Sequence, residues 1–167
     1  TSTSHTYVAG CLATFGQDIT LGDVTMLNSS FTNRFDTRWT QTFGATANGG
    51  NITINNFTSA LSPGKSVEFD IGNGTPNTVT FTGSVNSTDK MYFKGAGAVD
   101  VQGDANLAGG VYAQNLAHET NTTPSVDFNG NVTLTGAMEF EGNSVTFVNG
   151  VEAAGNDLTI NFTQATT

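Results

Sequence analysis

Few residues in this chain are able to do chemistry, and their spacing decides whether they form a site or a surface. The two histidines, His5 and His118, stand far apart. There is no G-x-S-x-G elbow, no HExxH pair and no Cys/His ligand spacing, so neither a nucleophile constellation nor a zinc site is assembled. His118 reads as a surface histidine in a loop. Paired carboxylates are the remaining catalytic option, since two acids flanking a sugar can hydrolyse a glycosidic bond. Glu139 and Glu141 share one face of a strand, as do Glu68 and Asp70. That chemistry needs one acid raised by burial. These acids fall on the outward positions of an alternating pattern, which makes them solvated charge. No catalytic residue is assigned, and the chain reads as non-enzymatic.

Calcium is better provided for. Asp18, Asp23, Asp70, Asp100, Asp104, Asp127 and Asp157 lie beside Gly or Asn turns, where carbonyl oxygens add to the donor set. Asp100, Asp104, Asp127 and Asp157, in the repetitive half, are the calcium candidates, although no EF-hand loop or G-G-x-G-x-D repeat accompanies them. No other cofactor is implied. Eight N-x-S/T sequons mark candidate glycosylation sites at Asn28, Asn51, Asn56, Asn73, Asn86, Asn121, Asn131 and Asn161. Cys11 is alone and so forms no internal disulfide. It reads as a small buried residue, the alternative being an intermolecular disulfide. Val8-Ala9-Gly10-Cys11 has the look of a lipobox, but no apolar segment precedes it.

The elements that hold these residues follow from composition and period. The chain has 167 residues, 20 Gly and 12 Phe, and is rich in Thr and Asn, a mixture that suits strands and tight turns. Only 11% of residues are charged, and five basic residues against 14 acids give a net charge of −9. No basic face for nucleic acid can be built from that, and an anionic membrane would repel the chain. No apolar run is long enough to insert into a membrane. The N-terminal Thr fits a chain whose leader has been removed, and equally a chain that has been trimmed.

From Ser66 onward a short unit recurs: apolar, polar, apolar, polar, then Gly or Asn. Examples are Val79-Thr80-Phe81-Thr82-Gly83, Val99-Asp100-Val101-Gln102-Gly103, Val132-Thr133-Leu134-Thr135-Gly136 and Met138-Glu139-Phe140-Glu141-Gly142. Period-two alternation buries the first and third residues, and the following Gly or Asn supplies a bend. Phe128 and Phe140 are thereby inward, while Thr133 and Glu139 face solvent. Unit starts at Val67, Val79 and Met91 are twelve apart, and those at Val126, Val132 and Met138 are six apart. Strands this short, separated by bends of one or two residues, suit a chain that turns a corner at each Gly and stacks coil on coil. The expected fold is all-β, a parallel β-solenoid (β-helix) over residues 66–167, with 1–65 an irregular N-terminal cap and assembly segment holding a few strands. The alternative is an antiparallel sandwich or jelly roll. Within the cap, Phe31, Phe35, Trp39 and Phe43 are spaced by four, which allows a short amphipathic helix over Thr32 to Thr42, against Thr content that opposes it.

The run from Val126 to Asn149, VDFNGNVTLTGAMEFEGNSVTFVN, resembles the β-helical stalks of bacterial autotransporter passengers and filamentous-haemagglutinin-like adhesins. The resemblance covers roughly Ser66 to Phe162 and rests on pattern. It implies a right-handed solenoid displayed outside the cell, here in a chain shorter than such stalks. The expectation is a structural subunit of an extracellular or cell-surface filament, sheath or layer. It would self-associate by stacking and strand addition, with a terminal strand of one subunit completing the sheet of the next. The alternatives are an adhesin binding surface glycans, with Tyr92, Tyr112 and Trp39 stacking on sugar rings, and a viral fibre or capsid protein.

Overall fold

The computed structural model describes residues 4–38, 49–71, 77–95, 97–114 and 125–162. Within them the chain is all-β and winds as a triangular coil. Coil 1 is β1 (Thr6–Val8), β2 (Cys11–Ala13) and β3 (Ile19–Leu21). Coil 2 is β4 (Val24–Met26), β5 (Asn33–Asp36) and β6 (Ile52–Ile54), and coil 3 is β7 (Phe57–Ser59), β8 (Ser66–Asp70) and β9 (Asn77–Phe81). Coil 4 is β10 (Val85–Ser87), β11 (Lys90–Lys94) and β12 (Gly97–Val101), and coil 5 is β13 (Ala105–Leu107), β14 (Gly110–Gln114) and β15 (Ser125–Phe128). Coil 6 is β16 (Val132–Leu134), β17 (Met138–Gly142) and β18 (Ser144–Phe147), and coil 7 has two strands, β19 (Val151–Glu152) and β20 (Leu158–Phe162).

The first strand of every coil joins one parallel sheet (A), the second another (B) and the third a third (C), of seven, seven and six strands. Thr6 pairs with Val24, Val85 with Ala105 and Val132 with Val151, so a compact coil takes 18 to 20 residues. The same sheets run through the described part of residues 1–65, which contributes strands β1 to β7 to the stack.

Parallel sheets are ordinarily covered on both faces and read as continuous apolar runs. Here only the inner face is covered, so each strand alternates as an antiparallel one would. Val67 and Phe69, Val79 and Phe81, Val126 and Phe128, and Met138 and Phe140 all point inward and are buried. Phe35, Phe69 and Phe93 stack face to face along sheet B, with centroids 5.3 and 4.9 Å apart. Phe57 and Phe81 meet Phe69 edge-on at 5.5 Å, so five rings fill the middle coils in both of the arrangements that aromatic pairs favour.

The corners repeat as well. Between sheets C and A, the Asn56 side-chain amide donates to Asp23 Oδ1 (2.8 Å), and Asn56 Oδ1 accepts from the Ser84 amide one coil on (2.8 Å). Asp104 Oδ1 accepts from both the backbone and the side-chain amide of Asn131 (2.9 and 3.0 Å). Gly103 and Gly130 sit on this corner, and a Cβ on either would strike the carbonyl of the glycine one coil earlier. The close stacking of coils therefore explains the Gly and Asn of the repeat.

Two expectations fail in the N-terminal half. Asn33–Asp36 is a strand, with Asn33 and Phe35 buried, so the start of the proposed helix is extended chain; Trp39 to Thr42, and Phe43, lie outside the described residues. The four-residue spacing misled because Phe31 is an exposed ring outside the core, 79% accessible, while Phe35 belongs to the sheet B stack. Cys11 is exposed, because Leu12 takes the inward position of its three-residue strand.

Candidate functional site at the open end of the coil

No group of three or more His, Cys, Asp or Glu among the described residues is placed to hold a metal ion. The calcium candidates are distributed through the stack. Asp100 and Asp127 are register partners on the outer face of sheet C; Asp100 accepts from Gln102 Nε2 (2.8 Å) and Asn129 Nδ2 (2.7 Å). Asp104 is used by Asn131 as described, and the Asp157 carbonyl accepts from the Met138 amide (2.9 Å). Asp18 accepts from the Asn51 amide (2.7 Å), and hydrogen bonds from Asn56 and Asn55 hold the Asp23 carboxyl below its ordinary range. The carboxylates of Asp18, Asp23, Asp100 and Asp104 thus accept from asparagines one coil on, as links in the stack.

Several sequon asparagines do the same. Asn51, Asn56 and Asn131 are corner links, Asn86 Oδ1 accepts from Asn106 (2.7 Å), Asn28 Oδ1 accepts from the Ser62 amide (2.7 Å), and Asn161 Nδ2 donates to Glu139 (2.9 Å). Asn73, Asn121 and His118 lie outside the described residues.

The acids on sheet B depart from the expected solvated charge. Arg34 Nη2 and Lys94 Nζ bind the two oxygens of Glu68 (2.6 and 2.9 Å), and Arg38 bridges Asp36 (2.7 Å) and Asp70 (3.1 Å). Asp70 is 1% exposed, a correction to its outward assignment: its strand parity is outward, but neighbouring coils and Arg38 cover it. Burial alone would raise the Glu68 and Asp36 carboxyls, and their hydrogen bonds and cation partners more than offset it, leaving both below the usual range. Glu139 is likewise no free surface charge, because it accepts the Tyr112 hydroxyl at 2.7 Å. Tyr112 is 5% exposed and stacks on Tyr92 at 4.9 Å, so its ring is closed to a sugar. Burial, then the hydrogen bond to Glu139, pushes the Tyr112 phenol well up.

The described coils that the fold covers least are the C-terminal ones. In coils 3 to 5, the inward apolar residues are buried. On β18, β19 and β20 the corresponding residues Val145, Phe147, Val151 and Leu158 are only partly buried, Ile160 is 39% exposed and Phe162 is 62% exposed. Phe147 stacks one face on Phe128 at 5.2 Å and has no described ring on the other. Among the described residues sheet C ends at β18, one coil before sheets A and B, so this edge is stepped. The outer edges of these three strands have no strand partner among the described residues, and such edges are templates for further pairing. At the opposite end Val8 and Ile19 are buried at 8% and 3%. Sequence reasoning missed this end because Val145-Thr146-Phe147 reads like any interior unit; only its place in the stack distinguishes it.

These features define a three-sheet parallel β-solenoid whose C-terminal described coil is less covered than its interior. Comparison with known proteins gave no matching family model, no matching curated protein and no matching solved structure.

Proposed function

We propose that this chain is a non-catalytic structural subunit of an extracellular or cell-surface assembly, and that it grows by stacking a second copy on its open end. The observation that carries the reading is the terminal coil, where Phe147, Ile160 and Phe162 leave an apolar, unpaired edge on a molecule whose interior coils are closed. Burying that edge against another coil would recover apolar area at roughly 25 cal/mol per Å² and satisfy its backbone groups. The two ends of a solenoid present the same three sheets in the same order, so head-to-tail stacking continues every sheet and yields an open filament. The low charge and the Thr/Asn-clad exterior support the same reading, as does the resemblance of Val126 to Asn149 to surface-displayed β-helical stalks.

Sedimentation velocity and electron microscopy across a concentration series test this directly. The wild-type chain should form rods that lengthen with concentration, and a Phe147→Glu/Phe162→Glu variant should stay monomeric with unchanged β content. A wild-type chain that remains monomeric at millimolar concentration, or a double variant that assembles equally well, would refute the stacking reading.

A further inference from the structure

All five cations of this acidic chain lie on one wall. Arg34, Arg38, Lys65, Lys90 and Lys94 belong to coils 2 to 4, on sheet B or at its ends. Arg34, Arg38 and Lys94 are occupied by Glu68, Asp36 and Asp70. The other two are not: among the described residues Lys65 makes no ion pair, and Lys90 rests only over the Tyr112 ring, 5.3 Å from its centroid.

Those two lysines line one surface cleft of about 540 Å³, whose wall also includes Ser66, Thr88 and Tyr92. The cleft is built in. Asp89 is buried, and it fixes the 60–65 connection that forms one side by accepting from the Ser59 hydroxyl and the Leu61 amide. On coil 5, Gly109 leaves the floor open, while the Tyr112 ring lies where a side chain on Gly110 would be. A second cleft of about 220 Å³ adjoins it, sharing Gly64, Lys65 and Ser66 and ending at Phe31. The shared residues join the two clefts, whose linings run from coil 2 to coil 5, about 14 Å at the usual strand spacing. We term this combined surface the groove. The faces of Tyr92 are taken by Tyr112 and Lys94, so the free aromatic face along this groove is the exposed Phe31.

We infer that this groove binds an acidic polysaccharide, with a carboxylate or sulfate held between Lys65 and Lys90 and a sugar ring packed on Phe31. Asp89 and Glu68 also line the two clefts, but Asp89 is engaged by Ser59 and Leu61, and Glu68 by Arg34 and Lys94. The hydroxyl-bearing walls, the flat apolar platform and two ammonium groups without an ion-pair partner among the described residues match a hydroxylated ring that carries an anion. A nucleic acid needs many more phosphate contacts to overcome a net charge of −9. The site lies within one chain and is independent of stacking at the open end.

Isothermal titration on the monomeric Phe147→Glu/Phe162→Glu variant tests it, with polygalacturonate and dextran sulfate as probes and neutral dextran and polyglutamate as controls. Binding to at least one acidic polysaccharide is expected, weakening as salt rises. Lys65→Ala/Lys90→Ala should weaken it at least tenfold, and Phe31→Ala, which leaves charge unchanged, at least threefold. The inference is overturned if neither acidic polysaccharide binds, if neutral dextran binds as tightly, or if polyglutamate binds equally and Phe31→Ala has no effect. Retention of full affinity by the double lysine variant overturns it as well. Circular dichroism melts of each variant exclude misfolding as the cause of a loss.

Discussion

Replacing Phe69 with Ala should be among the most damaging single changes available in this molecule. The ring is fully buried, and it contacts four others: Phe35 and Phe93 face to face at 5.3 and 4.9 Å, Phe57 and Phe81 edge-on at 5.5 Å. Truncating a buried Phe costs about 3–5 kcal/mol through lost transfer energy and the cavity left behind. Each aromatic pair adds about 0.5–1.5 kcal/mol beyond area, and the strands above and below are pinned by their own ladders and cannot collapse inward. The upper end of the range, about 5 kcal/mol, is therefore expected. Phe147 is chemically identical but partly exposed, with a single stacked neighbour, and its truncation should cost only about 1–2 kcal/mol. Urea denaturation followed by far-ultraviolet circular dichroism measures both. Because coils couple mainly to their neighbours, the Phe69 variant should also lose cooperativity by splitting the stack, whereas the Phe147 variant frays one end. Equal losses at the two positions, or a loss under about 2 kcal/mol at Phe69, would show that the rings do not form a continuous interior ladder.

Two further outcomes follow from sheet B. Glu139→Ala should cost about 1–3 kcal/mol, because it orphans the buried Tyr112 hydroxyl, while Thr133→Ala should cost under about 0.5 kcal/mol; thermal melts of the two variants compare them, and equal losses would contradict the geometry. Stability should fall as pH drops below about 4, since Glu68 and Asp36 have folded-state values below their unfolded ones. Such groups contribute stability above the unfolded value and lose it as protonation proceeds through the folded one. Glu68→Gln should flatten the fall in Tm between pH 5 and pH 3, and an unchanged slope would remove Glu68 from the account.

The strands were legible because one-sided burial forces a period of two, and that period survives in units as short as Val132-Thr133-Leu134. The coil was harder to read. Val24 pairs with Phe57 and Ala105 with Val132, spans of 33 and 27 residues, against 18 to 20 in compact coils. Extra chain between sheets B and C hides the common period, and the twelve-residue spacing of Val67, Val79 and Met91 joins strands of sheets B, C and B again. Side-chain parity was right for Glu68 and Asp70, but exposure was not, because burial on the outer face depends on which residues arrive from adjacent coils. The same limit hid the groove. Phe31, Lys65 and Lys90 lie far apart in sequence and meet only when coils 2, 3 and 4 are stacked.

The difference between the two ends bears on how an assembly could form. If only the C-terminal edge were available, two copies would meet by a two-fold contact, consume both edges and stop as a closed dimer. An open filament needs the N-terminal edge too, and there the inward residues Val8 and Ile19 are buried and Leu12 and Leu21 half-covered. Less apolar surface therefore remains to gain from the inward positions, although Tyr7 and Phe15 of the same coil are exposed. The outer backbone edges of β1, β2 and β3 are nonetheless unpaired by any described strand. Head-to-tail growth would therefore draw its apolar contribution mainly from one partner and its backbone hydrogen bonds from both. That imbalance predicts modest affinity per joint and rods whose length depends strongly on concentration, whereas a two-fold dimer would saturate at a fixed mass.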